Sequence, residues 1–178
     1  MEKSFSGFAN YQPIVSSKGS LVKAAAEPDA NVTLAVARDR SIVGFAVLRH
    51  PGVSERWHRV GDGVMMEVSV IEISRPWRSK GISRKLLRCL VDQPAQALHI
   101  YYMVGYSWTW DLAGTGLTPI GYRNMMISLF SGQGFRTYQT NEPNIMMRPE
   151  NLFMAKIGAD IPEEVVRQFK LVRFDMDR

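Results

Sequence analysis

The sequence predicts an α/β (α+β) domain, and three observations predict it. Residues 32–48 hold two β-rich runs joined by a short turn. Residues 64–74 form a β-branched run that leads through a basic turn into an amphipathic helix. Residues 98–157 supply another strand, another helix and two closing strand segments. The chain has 178 residues, 46% hydrophobic and 22% charged, which suits one globular core without disulfides or a structural metal. The expectation is a single domain over 1–178, with 1–31 poorly defined and a C-terminal helix over 160–174.

Each element has a local cause. Small and polar side chains dominate residues 1–31, where Lys18-Gly19-Ser20 and Glu27-Pro28-Asp29 carry turn signals. Val32 to Arg38 and Ile42 to Leu48, around Asp39-Arg40-Ser41, predict an antiparallel hairpin. A loop from His50 to Gly63 precedes the strand from Val64 to Ser74, which contains Glu67 and Glu72. Their separation of five residues puts them on opposite faces of a regular strand, and a bulge between them changes that. Ile82, Leu86, Cys89 and Leu90 then recur at helical spacing, with Lys80, Arg84, Lys85 and Arg88 outside, so Cys89 is expected in the core. Leu98 to Val104 predicts a second central strand, and Ile120 to Phe130 a helix stopped by Gly132-Gln133-Gly134. Phe135 to Thr140 and Leu152 to Ile157 predict a closing strand pair, and Asp160 an N-cap with Glu163 three residues on.

Composition narrows the function. Against 17 Asp/Glu stand 22 Lys/Arg, a net +5 that suits an anionic ligand such as a nucleotide cofactor and is modest for a nucleic-acid binder. Met1 to Phe8 lacks the features of a signal peptide, no apolar run is long enough to cross a bilayer, and Cys89 is the single cysteine. The expected compartment is therefore the cytoplasm, with no membrane or nucleic-acid partner. His50, His58 and His99 lack metal-ligand spacing and Ser107 lacks a nucleophile elbow, so metal and hydrolase chemistry are not expected.

The segment Arg78-Ser79-Lys80-Gly81-Ile82-Ser83, between strand and helix, is the candidate anion site. Amides at a helix start are unpaired and the helix dipole is positive there. Gly81 allows close approach of the main chain, Ser83 is small, and Arg78 and Lys80 add charge, so a pyrophosphate suits the turn. Neither G-x-G-x-x-G nor G-x-x-x-x-G-K-[ST] occurs, which argues against Rossmann and P-loop sites.

The string from Ile71 to Leu87, with Arg78-Ser79-Lys80-Gly81-Ile82-Ser83 at its centre, resembles the signature [RQ]-x-x-G-x-[GA] of the GNAT N-acetyltransferases, Ser83 replacing the last Gly or Ala. Tyr122 to Phe130, followed by Gly134-Phe135, is similar to the superfamily helix that usually ends in tyrosine; Phe130 stands in that tyrosine's place. Tyr106-Ser107-Trp108-Thr109-Trp110-Asp111-Leu112-Ala113-Gly114-Thr115 and Pro149 to Gly158 are similar to the AcuA-like (acetoin utilisation protein A) acetyltransferases, over about Val32 to Phe174.

The resemblance implies the GNAT fold, a mixed, mostly antiparallel sheet splayed between two central strands and flanked by helices. It implies acetyl-CoA as co-substrate, with Ile71, Ile73 and Ser74 along the pantetheine arm and Arg78 to Ser83 at the pyrophosphate. Transfer to an amine needs a group that removes a proton from the ammonium. Glu67, eleven residues before Arg78, matches the spacing of the base glutamate in histone acetyltransferases of this superfamily, and Glu72 is the second candidate. Asp111 is the third, and Trp108 and Trp110 are candidate cleft walls or core residues. With Phe130 unable to donate a proton, Tyr122 or Tyr106 is the candidate acid, or solvent protonates the thiolate. The implied activity is acetylation of a protein lysine, with AMP-forming acetyl-CoA synthetase as acceptor. Acetylation of a small amine and non-catalytic coenzyme A binding are the alternatives.

Overall fold

Strand alternation, interrupted once, organises the centre of the molecule. The computed structural model describes residues 18–28 and 30–176. In chain order these form α1 (Lys18–Ala26), β1 (Asn31–Val36), β2 (Ile42–Arg49), β3 (Met65–Ile73), α2 (Ile82–Val91) and β4 (Ile100–Gly105). There follow α3 (Leu112–Thr115), α4 (Pro119–Ser131), β5 (Arg136–Tyr138), α5 (Pro143–Met146), β6 (Leu152–Ile157) and α6 (Glu163–Val172). The strands make one six-stranded sheet in the order β1-β2-β3-β4-β6-β5. Only the β3/β4 pair is parallel. The expected mixed, mostly antiparallel sheet is observed.

The parallel pair is short. β3 and β4 are in register only at Met65 with Ile100, Met66 with Tyr101 and Glu67 with Tyr102. Beyond that point β3 continues along β2 to Ile73, while β4 continues along β6 to Gly105. The two central strands therefore diverge after Glu67 and leave a notch between them.

Two apolar layers clamp the sheet. On one face α2 presents Leu86, Leu87, Leu90 and Val91 to Ala46, Leu48, Val68, Tyr101 and Met103, and Phe130 of α4 joins them. On the other face Trp57, Met65, Tyr102 and Phe153 pack with Phe169 and Val172 of α6, and Trp57 stacks on Phe153 at 4.3 Å. Burying side chains of this size contributes about 1.5–3 kcal/mol each before entropy is counted. Leu21 of α1 extends that face over Phe45 and Val47.

Four local expectations need correction. Lys18-Gly19-Ser20 opens α1 rather than a turn. Within the predicted 50–63 loop, Arg56–Val60 forms a 3-10 turn anchored by buried Trp57 and Val60. The cap of α6 is Pro162, not Asp160, and it contributes no side-chain hydrogen bond. Cys89 is exposed, because Leu86, Leu87, Leu90 and Val91 already fill the buried stripe of α2 and position 89 falls on its flank. Residues 1–17 lie outside the described residues. No helix among the described residues is long and apolar enough to cross a membrane.

Candidate active site

A bulge decides where the two strand glutamates point. In the β2/β3 ladder Phe45 faces Glu72, Val47 faces Val70 and Arg49 faces Glu67, while Leu48 faces Val68. Ser69 is the extra residue, and its hydroxyl donates to the Val47 carbonyl at 3.4 Å. Residues 45, 47 and 49 alternate regularly, so their partners Glu72, Val70 and Glu67 share one face. That is the face opposite α2, the one over which α1 lies. Five residues that predict opposite faces thus deliver the same face.

Glu67 sits where β3 and β4 part. Arg49 Nε donates to its Oε2 at 3.0 Å, and Nη2 lies 2.9 Å from the same oxygen in an ion pair. Burial pushes the Glu67 carboxyl up from the usual range, against the pull of Arg49, and Glu55 adds to the rise. Tyr102, its β4 partner, has a buried hydroxyl without a hydrogen-bond partner among the described residues, and burial raises its pKa strongly. Tyr106 lies further along and is pushed up to about 12, by burial first and then by Glu142 and Glu67.

The mouth of the notch is held differently. Arg75 donates to both Asp111 oxygens, from Nε at 2.9 Å and Nη2 at 2.7 Å. Arg78 spends all three guanidinium nitrogens, on the Ile73 carbonyl at 3.0 Å, Asp111 at 2.7 Å and Glu72 at 3.2 Å. Asp111 also accepts from the Gly114 amide at 3.0 Å and so caps α3. A side chain at Gly114 would collide with Asp111, Arg75 and Arg78, so glycine is required for this close stacking. The hydrogen bonds from Arg75, then those from Arg78 and Gly114, hold the Asp111 carboxyl far below the usual carboxylate range despite its burial. Its oxygens are committed, which removes Asp111 as a proton acceptor. Glu72 is raised by burial, with Arg78 opposing.

The turn beside this network has an unusual backbone. Ser79 and Gly81 both adopt left-handed backbone, with φ of 60° and 73°. For Ser79 that conformation is strained, a feature that clusters at functional sites. Gly81 caps α2 with no side-chain bond, the first turn carries no acidic residue, and open space lies beside the Gly81 Cα. The amides of Ile82 and Ser83 are therefore free for a ligand, which fits a pyrophosphate. Lys80 Nζ lies 4.7 Å over the Trp77 ring. Ile71 and Ile73 turn their side chains into the α2 layer, while the backbone edge of β3 past Glu67 has no strand partner toward β4.

The remaining candidates separate. Trp110 packs toward the α2 layer and stacks on Tyr122 at 4.9 Å, whereas Trp108 is exposed and stacks on Tyr106 at 4.8 Å. Tyr122 is raised by burial and then by Glu72. Phe130 is 1% exposed and meets Phe135 edge-on at 5.1 Å. Sequence reasoning missed Arg49 and Arg75, which carry no motif and gain meaning only from partners far along the chain. No cluster of three or more metal-binding side chains occurs among the described residues.

No family model matches the chain. The sequence is 30% identical to acetoin utilization protein AcuA of Bacillus subtilis (strain 168) over 156 residues, 87% of this chain and 73% of the relative. The chain belongs to the AcuA family. The crystal structure of an acetoin utilization protein from Exiguobacterium sibiricum 255-15 superposes with a TM-score of 0.87 at 28% identity, covering 94% of this chain and 79% of that one. A putative acyl-CoA N-acyltransferase from Klebsiella pneumoniae subsp. pneumoniae MGH 78578 shares the fold, with a TM-score of 0.51 at 14% identity over 84% of this chain and 93% of that one. The fold described above is thus shared with an acetoin utilization protein over most of both chains.

Proposed function

We propose that this AcuA protein transfers the acetyl group of acetyl-CoA to a lysine side chain of a protein, with AMP-forming acetyl-CoA synthetase as the acceptor. The observation that carries the reading is the position of Glu67, a partly buried carboxylate at the apex of the notch, on the face away from α2. The acceptor named here follows from the AcuA-like strings around Trp108 to Asp111 and Pro149 to Gly158.

Acetyl-CoA supplies the thioester, whose C–S bond breaks as the new C–N bond forms. The amides of Ile82 and Ser83, with Lys80, hold the pyrophosphate, and the open β3 edge around Ile71, Ile73 and Ser74 pairs with the pantetheine amides. Arg78 and Asp111 act indirectly, since their polar atoms hold the mouth of the notch. Glu67 takes the proton from the acceptor ammonium, directly or through water, and frees the amine to attack. Burial raises its pKa above the ordinary carboxylate value, which makes it a stronger base. Tyr122, kept protonated by burial beside Glu72, returns a proton to the departing thiolate. Trp108 and Tyr106 line the acceptor's side of the cleft.

The deciding experiment mixes purified protein, acetyl-CoA and purified acetyl-CoA synthetase, and reads lysine acetylation by mass spectrometry. Acetylation by the wild type that is lost in Glu67→Gln supports the reading. Coenzyme binding with no transfer to any protein or amine favours a regulator instead, a second reading motivated by the buried Phe130 at the usual acid position.

A further inference from the structure

The Arg49–Glu67 pair has an unusual geometry for its chemistry. A guanidinium fork opposite a carboxylate ordinarily meets both oxygens. Here both nitrogens of Arg49 converge on Oε2, and Oε1 accepts no hydrogen bond from a described residue. The arrangement is fixed by the backbone, because Arg49 and Glu67 are direct partners in the β2/β3 ladder just beyond the Ser69 bulge. Arg49 is itself braced, with Nη2 at 3.8 Å from Glu55, whose carboxylate accepts from the Gly52 amide at 2.9 Å.

We propose that Arg49 is a positioning residue that grips Glu67 by one oxygen and leaves the other aimed at the acceptor amine. The proposal rests on the reading of Glu67 as the base. It adds a residue outside the GNAT turn to the machinery, supplied by the strand that precedes the split rather than by either arm of it.

Charge follows from the same contact. The groups around the carboxylate are Arg49 from β2, Glu55 from the following loop, Tyr102 from β4 and Tyr106 just after it, with Arg56 and Glu142 around Tyr106. Burial and Glu55 raise the Glu67 pKa, and Arg49 is the opposing cation. A base works unprotonated, so activity rises with pH through that pKa. Without the Arg49 charge, the rise belongs at higher pH.

Two measurements test this on the full chain. The first is a 13C NMR titration of glutamate-labelled protein, with Glu67→Gln used to assign the Glu67 carboxyl. The second is the pH profile of kcat/KM toward acetyl-CoA synthetase for wild type, Arg49→Gln, Arg49→Lys and Glu67→Gln. In Arg49→Gln the titration midpoint and the acid limb should both move up by about one pH unit or more, the usual effect of an adjacent opposite charge. Arg49→Lys, which keeps the charge and stem, should fall between, and its spectrum reports directly on folding. An unmoved midpoint in Arg49→Gln beside an inactive Glu67→Gln would overturn the role of Arg49 alone. Full activity in Glu67→Gln would overturn the base assignment, and the role of Arg49 with it.

Discussion

The two ends of the notch use the same residue types to opposite effect. At the apex, one arginine meets one oxygen of Glu67 and the second oxygen stays open. At the mouth, Arg75 and Arg78 saturate Asp111 and engage Glu72, linking the segment after β3 to the segment after β4. Both ends are carboxylate and guanidinium. What differs between Glu67 and Asp111 is spare hydrogen-bonding capacity, and in the proposed mechanism that capacity separates the group that exchanges a proton from the one that holds a shape.

Replacing each carboxylate by its amide sharpens the contrast. Glu67→Gln should lower kcat by roughly 10²–10³-fold with little change in KM for acetyl-CoA, because positioned acid–base groups contribute on that scale. Glu72→Gln should lower kcat by less than about tenfold, measured in the same steady-state assay. Equal losses would erase the distinction between the two ends.

The anion turn is the next lever. Gly81→Asp puts a carboxylate where the proposed function places the phosphates and a side chain where φ is 73°. Acetyl-CoA affinity by calorimetry should weaken by about tenfold or more, ~1.4 kcal/mol. Asp111→Asn acts on the shape of the mouth. Because the Asp111 pKa is depressed in the folded state, its stabilisation is present above the unfolded carboxylate pKa of about 3.9 and is lost as pH falls below it. The melting temperature of Asp111→Asn should therefore lie below the wild type at neutral pH, with the gap closing in acid. The smallest effect on turnover is expected from Phe130→Tyr. A hydroxyl placed in the α2 layer without a partner costs about 1–3 kcal/mol, so the variant should melt earlier while kcat stays within about twofold.

Periodicity made the strands and the two long helices legible, since the runs around Val70, Leu86 and Met126 each state their own period. The turn from Arg78 to Ser83 was legible as a strand-to-helix connection because its residues are contiguous. The pairs were not. Arg49 and Glu67 are 18 residues apart, and Arg75 and Asp111 are 36 apart, so neither pair exists until the sheet forms. Cys89 fails for a related reason, because helical spacing marks a stripe but not where its edge falls against the neighbouring strands.

Ser69 ends with the widest reach of any residue that has no chemistry of its own. It is an exposed side chain bonded to one carbonyl. Yet it works as a frameshift written in protein: remove it, and every side chain on one side of the cut changes reading frame between the faces of the sheet. Anyone transplanting Glu67 and Glu72 into another scaffold would have to copy the spacing along with the residues.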